Sequence, residues 1–184
     1  MFSRTFFSAV ALESLIASAM AGNAILNNHC SYGVHVLSTL DNSQTFVPPG
    51  GNFVQGMAGG AGKSLKIARD PADFWAHGIT QLEYTVTDTL WYDISYIDCV
   101  QGVNADDLSR CPGAEAGVMI EANGGQCAVG ETAANAKQPN QAYYVWNDDW
   151  ATKSCQAGQS AGDVTMTICT GSGLKKRVAG RIEY

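Results

Sequence analysis

The sequence predicts an all-β fold, a β-sandwich whose loops are tied by disulfides. Three observations lead there. Short runs rich in aromatic and β-branched residues recur along the 184-residue chain, Gly, Pro, Asn and Asp clusters such as "PPGGN" and "DPAD" punctuate them, and helical periodicity is weak. Many short strands without strand–helix alternation suggest a β-sandwich.

The strand-like runs are "YGVHVLST" (32–39), "QTFV" (44–47), "KSLKIA" (63–68), "QLEYTVTD" (81–88), "LWYDISYI" (90–97), "GVMIE" (117–121), "AYYVW" (142–146) and "DVTMTIC" (163–169). Alternation is clearest in the last, where Val164, Met166 and Ile168 share one face and Thr165, Thr167 and Cys169 the other. Helix is expected only as a turn at 106–110 and a short piece at 131–137. There are no internal repeats.

Composition is that of a folded chain, 46% hydrophobic and 15% charged, with a formal net charge of −6. That charge argues against a nucleic-acid partner, which would need a basic stripe for phosphate. Residues 1–21 read as a secretory signal: Arg4, an apolar run over 6–16 interrupted by Glu13, then the small-x-small site Ala19-Met20-Ala21. The expectation is a secreted, monomeric protein, extracellular or wall-bound, with no membrane insertion. Its folded domain would span 22–170, and a basic tail 171–184. Lys175, Lys176 and Arg177 in that tail suit either a solvated end or a dibasic processing site.

All six cysteines, Cys30, Cys99, Cys111, Cys127, Cys155 and Cys169, follow the signal. In a secreted chain they imply three disulfides, for which sequence alone leaves about 15 connectivities. Zinc is disfavoured because no C-x-x-C pair occurs. No metal or cofactor is expected.

Three motif matches carry no chemistry. "GQSAG" (158–162) fits a nucleophile elbow, but a strand follows Ser160 where a helix is required, and no histidine lies downstream. "GGAGKS" (59–64) has Met57 where a phosphate-binding loop needs glycine. His29, His35 and His77 lack metal-ligand spacing.

The acidic and aromatic residues form a more telling pattern. Arg69 ends one strand-like run, Glu83 lies in another, Asp93 and Asp98 in a third, and Asp148 and Asp149 follow a fourth. Charge in a strand must be exposed or paired. Two readings fit: scattered charges on solvent faces, or a sheet face opening into a cleft where carboxylates bind polar groups. Trp146 and Trp150 flank the paired aspartates, with Tyr143 and Tyr144 just before. Exposed aromatics beside carboxylates suit sugars, whose apolar ring faces stack while their hydroxyls hydrogen-bond.

In combination these stretches resemble thaumatin-like proteins. "ILNNHCSYGVHV" resembles their opening strands, and "VPPGGNFVQGMAGGAGKSLKIARD" their glycine-rich connection into a strand ending Ala-Arg. "LEY" followed by "WYDISYID" resembles their acidic strand pair, "QAYYVWNDDWATKSC" their aromatic run with adjacent aspartates, and "VTMTIC" their closing strand. The resemblance runs from about residue 24 to 170 and is strongest to small fungal members of the Blastomyces yeast-phase-specific, antigenic type. Longer plant members carry many more cysteines, so a much reduced second domain is expected here.

The resemblance implies the pairs Cys30–Cys169, Cys99–Cys155 and Cys111–Cys127. It implies a cleft built from Arg69, Glu83, Asp93, Asp98 and one of Asp148 and Asp149, binding β-1,3-glucan of the cell wall, with weak endo-β-1,3-glucanase activity as an alternative. A third alternative is a secreted antigen or effector that contacts a host surface protein through the loop 100–140, its cleft vestigial. Hydrolysis would use Glu83 as the acid and Asp98 or Asp93 as its partner, with carboxyls about 5 to 9 Å apart. Binding asks less of the geometry and is the expectation. One constraint follows: residues five apart on a regular strand face opposite ways, so Asp93 and Asp98 can share a site only if the strand breaks near Ile97.

Overall fold

The computed structural model describes residues 22–100 and 106–172. The signal segment and the basic cluster 175–177 lie outside the described residues. Two sheets make the fold. In the first, β4 (Asn52–Gly56), β1 (Asn23–Asn28), β12 (Val164–Ile168), β8 (Val118–Ala122) and β9 (Gly130–Thr132) lie in that order. The second runs β10 (Ala142–Tyr143), β7 (Leu90–Ser95), β6 (Thr80–Val86), β5 (Gly60–Ala68), β2 (Val34–Ser38) and β3 (Gln44–Val47). A further strand, β11 (Lys153–Ser154), shares the outer edge of β7 with β10.

Alternation explains the packing. Leu26, Ile120, Met166 and Ile168 of the first sheet face Val36, Leu65, Ile67, Leu82, Tyr92 and Ile94 of the second, all of them buried in one cluster. Burying each such aliphatic side chain stabilises by about 1.5–3 kcal/mol. None of the four tryptophans belongs to this core: Trp75, Trp146 and Trp150 are more than 80% exposed and Trp91 is 44% exposed.

β1 pairs in parallel with β12, from Ala24 opposite Val164 to Asn28 opposite Ile168. The Cys30–Cys169 disulfide closes this pair just beyond both strands, across a sequence separation of 139. A loop of that length contributes about 5 kcal/mol in the chain-entropy view. Asn28 is fully buried yet satisfied: its amide donates to the carbonyls of Tyr32, Val47 and Pro48, and its Oδ1 accepts the Cys30 N–H.

The other two disulfides correct the expected pairing. They are Cys99–Cys111 and Cys127–Cys155, in place of Cys99–Cys155 and Cys111–Cys127. The reason is the length of β7. The Cys155 N–H bonds to the Leu90 carbonyl at the start of that strand, whereas Cys99 follows its far end. A strand of that size spans about 17–20 Å, and a disulfide tolerates no more than about 7 Å between Cα atoms.

The segment 131–137 is not helical. It begins in β9, where Glu131 and Thr132 pair with Met119 and Val118, and Asn135 then takes a φ of 53° that ends any regular run. Pairing with β8 overrides the modest helix propensity of "ETAANAK". The region 100–140 is accordingly no open loop, since β8 and β9 lie within it. No helix among the described residues is long and apolar enough to cross a membrane.

Candidate functional site

The outward face of the second sheet carries the site. Ser64, Glu83 and Asp93 stand directly opposite one another across β5, β6 and β7, so all three side chains leave the sheet on the same side. The next row holds Lys66, Gln81, Ser95 and Tyr143. Leu65, Leu82 and Ile94, the sequence neighbours of these polar residues, point into the core. Core alternation therefore drives the two carboxyls together.

β7 ends at Ser95, and a one-turn helix, α1 (Ile97–Val100), follows. The Tyr96 N–H is taken by the Tyr143 carbonyl, and the Tyr96 carbonyl accepts the N–H groups of Cys99 and Val100. This break brings Asp98 back to the outer face, where it meets Lys66 Nζ at 2.6 Å.

Glu83 and Asp93 behave differently. Burial is the main force raising both carboxyl pKa values. For Asp93 the Glu83 charge and a hydrogen bond between the two groups act in the same direction and Lys153 opposes them, with a net rise to about 8. That hydrogen bond and one from Ser95 stabilise the Glu83 carboxylate, with Asp98 repelling it and Lys66 attracting it. Asp93 thus holds the proton and donates it to Glu83. Asp93 Oδ1 is shut off from solvent and meets no conventional donor among the described residues.

These two groups line a cavity of about 490 Å³. Trp91 and Tyr143 bound it on one side, Lys63 and Ser64 on the other. Thr152, also on its wall, lies 2.6 Å from the Tyr143 hydroxyl. The volume falls within the range of small-ligand sites, and the wall joins an aromatic side to polar groups that can orient hydroxyls.

The other expected site residues scatter. Arg69 does not line the cavity: it pairs with Glu115 at 3.0 Å and lies over the Tyr32 ring. Asp148 turns inward on the chain, accepting the backbone N–H groups of Tyr144 and Val145. Asp149 instead accepts the Tyr143 hydroxyl at 3.4 Å, which puts it behind the cavity wall. Trp146 and Trp150 are outside the lining, on the segment that links Tyr143 to Thr152. Trp91 was missed, although strand period alone signals it, since it lies two residues from Asp93 and shares its face.

No metal centre is evident among the described residues. Cys30, Glu115 and Cys169 bring ligand-type atoms within 4.8 Å, but the two sulfurs are already joined in a disulfide and cannot serve as thiolates.

A family model described as Blastomyces yeast-phase-specific protein matches residues 11–170. Among solved structures, the protein elicitor MoHrip2 from Magnaporthe oryzae is similar, with a TM-score of 0.60 and 20% identity over 81% of this chain and 99% of that one. The thaumatin-like xylanase inhibitor TLXI aligns with a TM-score of 0.47 and 12% identity, covering 79% of this chain and 98% of that one. No curated protein matches the sequence.

Proposed function

The chain belongs to the Blastomyces yeast-phase-specific protein family and has a thaumatin-like β-sandwich, and from that premise we propose that it is a secreted protein binding neutral cell-wall carbohydrate of the β-1,3-glucan kind in the Trp91–Tyr143 cavity. The observation that carries this reading is the joining of an aromatic wall to a partly buried carboxyl pair in one cavity. Sugar rings stack on the aromatics, and the carboxyl pair accepts and donates hydrogen bonds to hydroxyls.

Hydrolysis fits less well. Glu83 and Asp93 hydrogen-bond directly, and a glycosidase needs its carboxyls about 5 Å apart or more so that a glycosidic bond can enter between them. Asp98, the other expected partner, is engaged by Lys66 and is not on the cavity wall.

A second reading rests on the exposure of Trp75, Trp146 and Trp150 outside the cavity, a composition enriched at protein interfaces. Together with the elicitor similarity it supports recognition by a host surface protein. Retention on insoluble β-1,3-glucan separates the two. Wild type should be retained and Trp91→Ala lost, with Trp146→Ala unaffected. A folded wild type that passes through unretained would reject the carbohydrate reading.

A further inference from the structure

The carboxyl pair bears on which sugars the cavity accepts, an inference that rests on the carbohydrate reading above. Glu83 and Asp93 face each other across adjacent strands, share a hydrogen bond, and form no ion pair with a cation among the described residues. Asp93 Oδ1 is a buried oxygen that no N–H or hydroxyl reaches. A buried acceptor left so is costly, and a proton held between the two carboxyls removes the cost. We infer that Glu83 and Asp93 act as one proton-sharing unit that selects a neutral sugar diol, rejects acidic sugars, and releases neutral ones when the pair loses its proton.

The surroundings fix the sense of this selection. From β5, Lys66 stabilises the Glu83 charge, and Lys63 lines the cavity. From α1, Asp98 repels Glu83. From β10, Tyr143 faces Asp93, with Asp149 behind it. From β11, Lys153 attracts the Asp93 charge, but its ammonium donates to the Asn140 carbonyl, and burial lowers its pKa. With one proton the unit carries one negative charge, spread over oxygens that accept hydroxyl hydrogens. A uronate would add a second negative charge in the same low-dielectric pocket.

Two measurements on the mature protein decide the matter. Without ligand, the ¹³C signal of the Asp93 side-chain carboxyl should titrate near the value of about 8 that its burial and the Glu83 charge produce. By calorimetry, a neutral β-1,3-linked glucose oligosaccharide should bind evenly between about pH 5 and 7, then weaken about tenfold per unit above about pH 8. A glucuronic-acid oligosaccharide should bind at least about tenfold more weakly at every pH. Asp93→Asn, which keeps a donor and does not titrate, should abolish the loss at high pH. An Asp93 carboxyl fully ionised at pH 6 overturns the inference, and if the glucan still binds, the carbohydrate reading survives. A high titration with no glucan bound at any pH rejects the carbohydrate reading, and the selection with it.

Discussion

Asp98 lies on α1 where Lys66 reaches it at 2.6 Å, whereas Asp93, five residues earlier, forms no ion pair among the described residues, feels only the more distant Lys153, and leans on another carboxyl. The two aspartates come from one stretch, "LWYDISYIDC", and the end of β7 between them separates their fates. On α1 the chain turns a carboxylate toward a lysine, and charge is neutralised by charge. On the strands, register holds Glu83 opposite Asp93 whatever their repulsion, because Leu82 and Ile94 must face the core. The charge there is relieved by a proton. Backbone geometry thus decides whether an acidic residue becomes part of a structural ion pair or a titratable group in a cavity.

The largest expected effect breaks the proton-sharing side of this comparison. The Asp93 pKa is raised in the folded protein, so the folded state retains a proton that the unfolded chain releases. Stability from this source is fully present below the unfolded value near 4 and is lost as pH rises toward about 8. The melting temperature should therefore fall between about pH 5 and about pH 9, by the equivalent of at least about 2 kcal/mol. Asp93→Asn should flatten that fall and melt several degrees above wild type at the alkaline end. A wild-type melting temperature that rises over this window would contradict the assignment.

Next in size is the ion-paired side. Lys66→Met leaves the half-buried Asp98 without its cation and removes an attraction that holds the Glu83 pKa down. The pair is partly solvent-screened, so a destabilisation of about 1 kcal/mol is expected in urea titrations, with the Glu83 carboxyl titrating at higher pH. Arg69→Ala should cost a similar amount, about 1 kcal/mol, through the lost Glu115 contact and the stacking on Tyr32, and should leave glucan retention unchanged. Loss of retention in Arg69→Ala with an intact fold would return that residue to the binding site. The smallest effect belongs to Lys137→Ala, whose exposed pair with Asp106 is worth no more than about 0.5 kcal/mol.

Much of the fold was legible because its strands announce themselves: "KSLKIA" and "QLEYTV" are strands as expected, and the two-residue period of "VTMTI" puts Val164, Met166 and Ile168 in the core. β4 and β9 were not. "NFVQG" is an exposed edge strand with no apolar stripe to announce it, and "GET" is a strand only because β8 lies beside it. Within the site, Glu83 and Asp93 could be named, but which acids would share a face depended on register between strands, and one sequence carries no register signal for them. The disulfides failed for a related reason, since the distance from Cys99 to Cys155 is set by the length of β7.

The tryptophans offer the most direct test, because all four are exposed and each indole N–H is a separate reporter in ¹⁵N–¹H spectra. On titration with a soluble β-1,3-glucan oligosaccharide the Trp91 indole should shift, together with backbone amides of β6, β7 and Tyr143, while Trp75, Trp146 and Trp150 stay in place. Shifts centred on Trp146 and Trp150, or no shift at Trp91 in the folded protein, would contradict the account.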